Sequence, residues 1–429
     1  MKLLKNLLLF LLIYIPLEEF ILKWIPVPIP IFEKLLLFSD ALIFFSLFIF
    51  IAKNNFVIKY KRDNLFLFFF IIFSLVSLFI YQSWIVYILK VWVLIRYILV
   101  FYMIRSLFNY DDYNKFIKYF FYMFYFQFLV GLIQFIDISF ITDFFNPRGD
   151  LSKSSNWFVK GESGLAGTFT FTVNYGYFMF AFSAFVTLTN RSLQNKYFLM
   201  FLAMILSLLS ESIISFGLTF LLFSRFIQLN NPRFFYSFFI ISLFIILFFA
   251  KTFLIEYVPQ IASVFNIFTL NYIEDSLNFT RLGILKLFPL FFSNDIITIL
   301  FGFSLNIDSL SNFIFSNFDG MIPHILSNNV AIGIEDVYWI AHLYYFGLVG
   351  TILFICIFIY LYIYLNKYKL FFNDPIKFKI QRLYIILTLL SAFVNQTFSF
   401  KSFIVYFFFT ISFAIFKLNT RTMSVKDNI

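Results

Sequence analysis

Residues 338–361 read YWIAHLYYFGLVGTILFICIFIYL, an apolar run with no Asp, Glu, Lys or Arg in it. About 20 mostly apolar residues let a helix cross the hydrocarbon of a bilayer, so this run is long enough to span one. Working outward, runs of the same kind recur near 3–17, 35–52, 65–81, 85–104, 119–140, 169–188, 197–210, 212–226, 234–250, 383–400 and 402–418. They predict an all-α integral membrane protein with about twelve transmembrane helices. Composition points the same way. Of the 429 residues, 62% are hydrophobic and 13% charged, against roughly 45–50% and about 25% in soluble domains. A globule so apolar could not cover its surface with polar groups, which excludes soluble enzymes, disulfide scaffolds and disordered chains. The single cysteine, Cys356, sits in the opening run and reads as an inert buried thiol. Pro16, Glu18 and Glu19 follow the first run without a small-residue cleavage site, so that run is expected to stay as a span. The runs 197–210 and 212–226 are short and separated at Glu211. They read as two helices, because a single span there would invert everything downstream.

Charge gives the orientation. With a cytoplasmic N-terminus, 21 of the 32 Lys and Arg residues fall in cytoplasmic segments, while 17 of the 22 acidic residues fall outside or within spans. Short loops rich in Lys and Arg stay in the cytoplasm, so both termini are expected there. The net charge of +10 is then a topology signal and not a nucleic-acid footprint.

Two outward loops are long. The smaller, 141–168, contains the turn-rich NPRGDLSKSS at 146–155; the larger, 251–335, contains RLGILKLFPLFF at 281–292 and an Asn/Ser/Asp-rich region at 303–329. The larger loop reads as amphipathic helices on the outer membrane surface, and any chemistry is expected there. Nucleotide-binding and HExxH patterns are absent, and His324 and His342 are the only histidines, so no cofactor or metal centre is expected. Arg148 and Lys160 in the smaller loop, with Arg281 and Lys286 in the larger, are candidates for holding phosphate; ordinary solvated charge is the plain alternative. Glu335 and Asp336 precede the helix at Tyr338 and are either capping acids or a general base, with His324 a further base candidate. Lys90 and Arg96 lie in the fourth run. Lys90 can reach an interface, whereas Arg96 is near mid-depth and needs a polar cavity or a counter-ion, Asp40 or Asp137.

Several stretches, in order, resemble the O-antigen polymerase and O-antigen ligase superfamily: GLIQF (131–135), GLAGTFTFTVNYGYFM (164–179), LSESIISF (209–216), TRLGILKLF (280–288), FGFSLN (301–306) and EDVYWIAHLYYFGLVG (335–350). The resemblance covers most of the chain in layout. Where the ligase branch carries a His at the start of the last of these helices, this chain has Asp336, and Leu165 and Ser212 or Ile213 stand where ligases carry Arg. Those departures favour a polymerase. The resemblance implies a glycosyltransferase of the bacterial inner membrane that joins undecaprenyl-diphosphate-linked oligosaccharide repeat units at the periplasmic face. It implies Arg281, assisted by Arg148, Lys160 and Lys286, on the diphosphate; Arg96 lining the lipid cavity; and Asp336 or Glu335, or else His324, as the base. Implied partners are the lipid-linked oligosaccharides and membrane lipid, with a chain-length regulator and a flippase of the same pathway. The rivals are a ligase moving polymer to lipid A core, and a lipid-linked oligosaccharide flippase or transporter.

Overall fold

A computed structural model describes residues 2–18, 20–21, 38–53, 68–74, 84–136, 167–169, 172–210, 212–233, 287–303, 338–367, 375–393 and 397–426. Among these residues every regular element is a helix: α1 (Lys2–Tyr14), α2 (Phe38–Lys53), α3 (Trp84–Leu107), α4 (Tyr110–Ile136), α5 (Thr172–Leu188), α6 (Leu193–Leu209), α7 (Ile213–Asn230), α8 (Leu287–Phe291), α9 (Ile296–Phe301), α10 (Tyr338–Lys367), α11 (Pro375–Ser391) and α12 (Lys401–Lys426). Ten of the apolar runs coincide with one of these helices, the exceptions being 65–81, described only as a helical piece at 68–74, and 234–250, which lies outside the described residues. Tyr110–Ile136 and Tyr338–Asn366 are long and apolar enough to cross a membrane.

The helices pack so that the bundle has two distinct ends. At one, Lys5 pairs with Asp112 at 2.5 Å, Arg105 lies over the Tyr364 ring, and Lys417 donates to the Leu188 carbonyl. At the other, Ser39 bonds Glu18, the Thr168 hydroxyl donates to the Pro16 carbonyl, and Trp339 N–H donates to Ala392 O. Lys5, Arg105, Arg191 and Lys417, all in segments that the charge count expects on the cytoplasmic side, therefore collect at one end. At the centre, α5 is buried all round from Tyr175 to Leu188, as a helix apolar on every face demands. It packs against α12 through ring contacts such as Tyr177–Phe403 and Phe185–Phe413. The outside of the bundle is also apolar: Phe44, Phe48, Tyr122 and Phe198 are all more than 60% exposed.

Two boundaries differ from the hydropathy reading. Helix α4 begins at Tyr110 and not near 119, because Asn109 caps it. The Asn109 side chain accepts from Asp112 N and the Asp112 carboxylate from Asn109 N, each at 3.0 Å, a reciprocal capping box. Helix α11 runs from Pro375 to Ser391 instead of 383–400, with Pro in its first turn, where a missing N–H costs nothing. The two helices begin nine and eight residues ahead of their apolar runs, in polar turns that hydropathy cannot register. The junction at Glu211 is as expected: α6 ends at Leu209 and Ser212 caps α7 by accepting from Ser215 N. Replacing Asp112 by Ala removes the carboxylate that accepts from Asn109 N and pairs with Lys5, and leaves the bond from the residue-112 N–H to the Asn109 side chain. It should cost about 1–2 kcal/mol, with Lys5→Ala costing less than about 1 kcal/mol, as read by denaturant unfolding in detergent.

Candidate functional site

Four charged side chains meet in the interior near the Glu18 end. Glu18 closes the 3-10 turn after α1, Asp40 is in the first turn of α2, Arg96 is midway along α3, and Lys401 begins α12. Glu18 is 1% exposed and accepts from Ser39 N at 3.0 Å, Ser39 Oγ at 2.9 Å and Lys401 Nζ at 3.2 Å. Asp40 is paired directly with Arg96, accepts from Trp92 Nε1 at 3.2 Å, and stands 4.0 Å from Lys401. Arg96 Nε has no partner among the described residues.

Two formal positive and two formal negative charges balance here, so the cluster is not a ready-made cradle for an anion. Its cost is the informative quantity. Taking one ion out of water costs several kcal/mol, and pairing at best roughly offsets it, so such a cluster is no device for stability. Where helices pack in lipid, buried ionisable groups mark functional positions. What the arrangement does is tie the turn after α1 and the first turns of α2 and α12 to one another and to the middle of α3. Only Lys401, with its side chain 21% exposed, reaches the surface.

The stretches quoted above meet in pairs, the first of them beside the turn that carries Glu18. The Gln134 amide of GLIQF exchanges two hydrogen bonds with the backbone of Gly167, Nε2 to the carbonyl and N–H to Oε1, both 2.8 Å. Gln127 Nε2 donates to the Thr168 hydroxyl at 2.5 Å, and Gln127 Oε1 accepts from Thr168 N–H at 3.0 Å. Ser207 Oγ donates to Ser215 Oγ at 3.1 Å and Ser210 Oγ to the Ser207 carbonyl at 2.7 Å, and the Ser210 and Ser215 hydroxyls lie against Gly176. FGF meets YYFGLVG where α10 is broken at Gly347. There Phe303 N–H donates to the Tyr344 carbonyl at 2.7 Å and Thr351 Oγ1 to the Gly347 carbonyl at 2.7 Å. These bonds satisfy acceptors that the break in the helix would otherwise orphan in an apolar setting. Asp295 caps α9, and hydrogen bonds from the Thr298 hydroxyl and N–H hold its carboxyl below the usual range.

Of the sequence candidates, Arg96 lies in the charged cluster with Asp40 as its counter-ion. Asp336, Glu335, His324, Arg281, Lys286, Arg148, Lys160 and Asp137 lie outside the described residues, as does most of both long loops. In the stretch 281–292, the described helix is Leu287–Phe291, and its neighbour α9 carries an exposed apolar face, with Ile296 72% and Ile297 53% exposed. Sequence reasoning passed over Glu18 and Lys401. Both flank apolar runs, and their pairing joins positions 383 residues apart, which no local pattern signals. His342 is buried against Phe346 and Phe354 and adds no polar group to the cluster. No set of three or more potential metal-ligating side chains occurs among the described residues. No protein-family model, curated protein or solved structure matches the chain.

Proposed function

We propose that the chain is a multi-pass membrane glycosyltransferase, a surface-polysaccharide polymerase that joins undecaprenyl-diphosphate-linked repeat units at the outer face of the bacterial inner membrane. The observation that carries this reading is the interlocking of the quoted stretches. GLIQF with GLAGTF and FGF with YYFGLVG are joined by hydrogen bonds, and the Ser-rich turn meets VNYGY where the Ser210 and Ser215 hydroxyls lie against Gly176. The first of these pairs lies at the bundle end that holds the charged cluster, and the loop 141–168 leaves and returns there, between Gln134 and Thr168.

In this reading about twelve helices span the bilayer, the Lys5 end faces the cytoplasm, and the exposed Phe and Tyr side chains face lipid. Arg281, assisted by Arg148, Lys160 and Lys286, neutralises the departing diphosphate, a task for fixed cations in a site shielded from water. Asp336 or Glu335, or else His324, takes the proton of the acceptor hydroxyl as the glycosidic bond forms and undecaprenyl diphosphate leaves. Arg96 and its cluster brace the floor beneath the lipid cavity. Deleting the gene and separating the cell's lipopolysaccharide on a gel tests the proposal. A ladder collapsed to core plus one repeat unit is expected. Bare core with polymer left on its lipid carrier would make the chain a ligase, and bare core with repeat units held on the cytoplasmic side a flippase. An unchanged ladder with unchanged capsule would remove the polymerase.

A further inference from the structure

At the end opposite the Glu18 cluster, α4, the α5–α6 turn and α12 enclose a cavity of about 430 Å³. Lys118, Arg191 and Lys417 line it, and among the described residues no acidic one does. Lys417 is tied to the chain, donating to Leu188 O and, at 3.2 Å, to Asn190 Oδ1. Arg191 is held differently, its guanidinium 3.9 Å from the centroid of the Phe121 ring. A ring face engages the plane of a guanidinium and leaves its N–H groups for other acceptors. Neither Lys118 nor Arg191 forms an ion pair among the described residues.

The cavity opens onto an apolar stripe. Tyr122 and Tyr125, which line it, begin a series continued by Leu129, Leu132 and Ile136, all at least 40% exposed. Steps of three and four residues put these side chains on one face of α4. From 122 to 136 the face is about 21 Å long, more than one leaflet of a hydrocarbon core about 30 Å thick. A dissolved anion would use the cations and leave the stripe idle; a lipid with a charged head uses both.

We propose that this cavity binds the phosphodiester head group of an anionic phospholipid, with its acyl chains laid along the Tyr122–Ile136 face. The inference rests on the membrane-spanning reading and is independent of the polymerase chemistry. Cations between helices at a cytoplasmic surface are the usual means of holding such head groups.

The test titrates the delipidated full-length protein in detergent with phosphatidylglycerol or with phosphatidylcholine of the same acyl chains, counting bound lipid by native mass spectrometry. Phosphatidylglycerol should bind at least about tenfold more tightly. A cation near a membrane surface contributes roughly fivefold, so Lys118→Gln with Arg191→Gln should weaken that lipid roughly 25-fold. Lys115→Gln removes an exposed charge from the same helix outside the cavity and should cost clearly less than Arg191→Gln. If the double variant is unstable, Arg191→Gln alone should still cost roughly fivefold. Equal binding of the two lipids, or an equal loss in Lys115→Gln, would overturn the site. Competition by glycerophosphate at the lipid's own concentration would reduce it to a free-phosphate site and overturn the lipid. None of these outcomes reads polymer formation, so failure here and failure of the polymerase reading are separate results.

Discussion

Replacing Asp40 by Leu should cost about 3–5 kcal/mol of folding stability, and adding Arg96→Met to the same chain should return most of it. The side chains of this pair are 5% and 4% exposed, so the single change leaves a guanidinium in the interior without its paired carboxylate. Lys401 keeps Glu18 at 3.2 Å and does not itself become an orphan. The double variant removes both charges together and with them the desolvation that the pair had to offset. The part not returned is about 1 kcal/mol or more, because the Trp92 indole N–H loses its acceptor. Denaturant unfolding of the wild type, both single variants and the double variant in one detergent gives the coupling directly. Single variants that each cost under about 1 kcal/mol would mean that water reaches the pair and screens it.

The same four proteins address what the cluster is for. Two apolar side chains of matching volume serve stability as well as a buried ion pair does. A double variant that folds normally yet makes no polymer would therefore place the cluster in the reaction. Normal polymer from that variant would reduce Arg96 to a brace between α2 and α3.

The helical class and ten of the helices were legible because long apolar runs report directly on burial in an apolar medium. Helix starts were less so: α4 gains a first turn from the Asn109 cap and α11 from Pro375, and both turns are too polar for hydropathy to register. Arg96 was legible as a charge that needs a partner, and Asp40 was one of the two candidates. The rest of the cluster was not, since Glu18 and Lys401 each look like an ordinary charge beside an apolar run. Only the packing of α12 against the 3-10 turn after α1 brings them together. Glycine motifs were visible as motifs, but their spatial pairing was not. Gly302 and Gly347 are 45 residues apart, and nothing in either stretch names the other.

Gly347→Ala should be the most destabilising of the glycine substitutions, at about 3 kcal/mol or more. Gly347 has φ +64 and ψ −172, a region essentially closed to other residues and costing of order 1–3 kcal/mol to occupy. Space is short as well as angle. A Cβ there would lie 2.5 Å from the Leu300 carbonyl carbon and 2.6 Å from Gly302 N, while a Cβ on Gly302, at φ +80, would lie 2.6 Å from Gly347 N. All these atoms are backbone, so no rotamer change relieves the clash, and α9 must move off α10. That movement gives up the Phe303–Tyr344 hydrogen bond and the stacking of Phe301 on Phe73, centroids 5.5 Å apart. Gly302→Ala should cost nearly as much, and the double variant little more than either single one, because a contact already opened cannot be opened twice. Gly217→Ala supplies the contrast. A Cβ there meets nothing within 4 Å, and Ala in place of Gly inside a helix should stabilise by up to about 1 kcal/mol. Unfolding midpoints of the four variants in detergent decide it. Full additivity of the two large effects would mean that α9 and α10 do not share this contact, and a neutral Gly347→Ala would mean that the break in α10 does not depend on glycine.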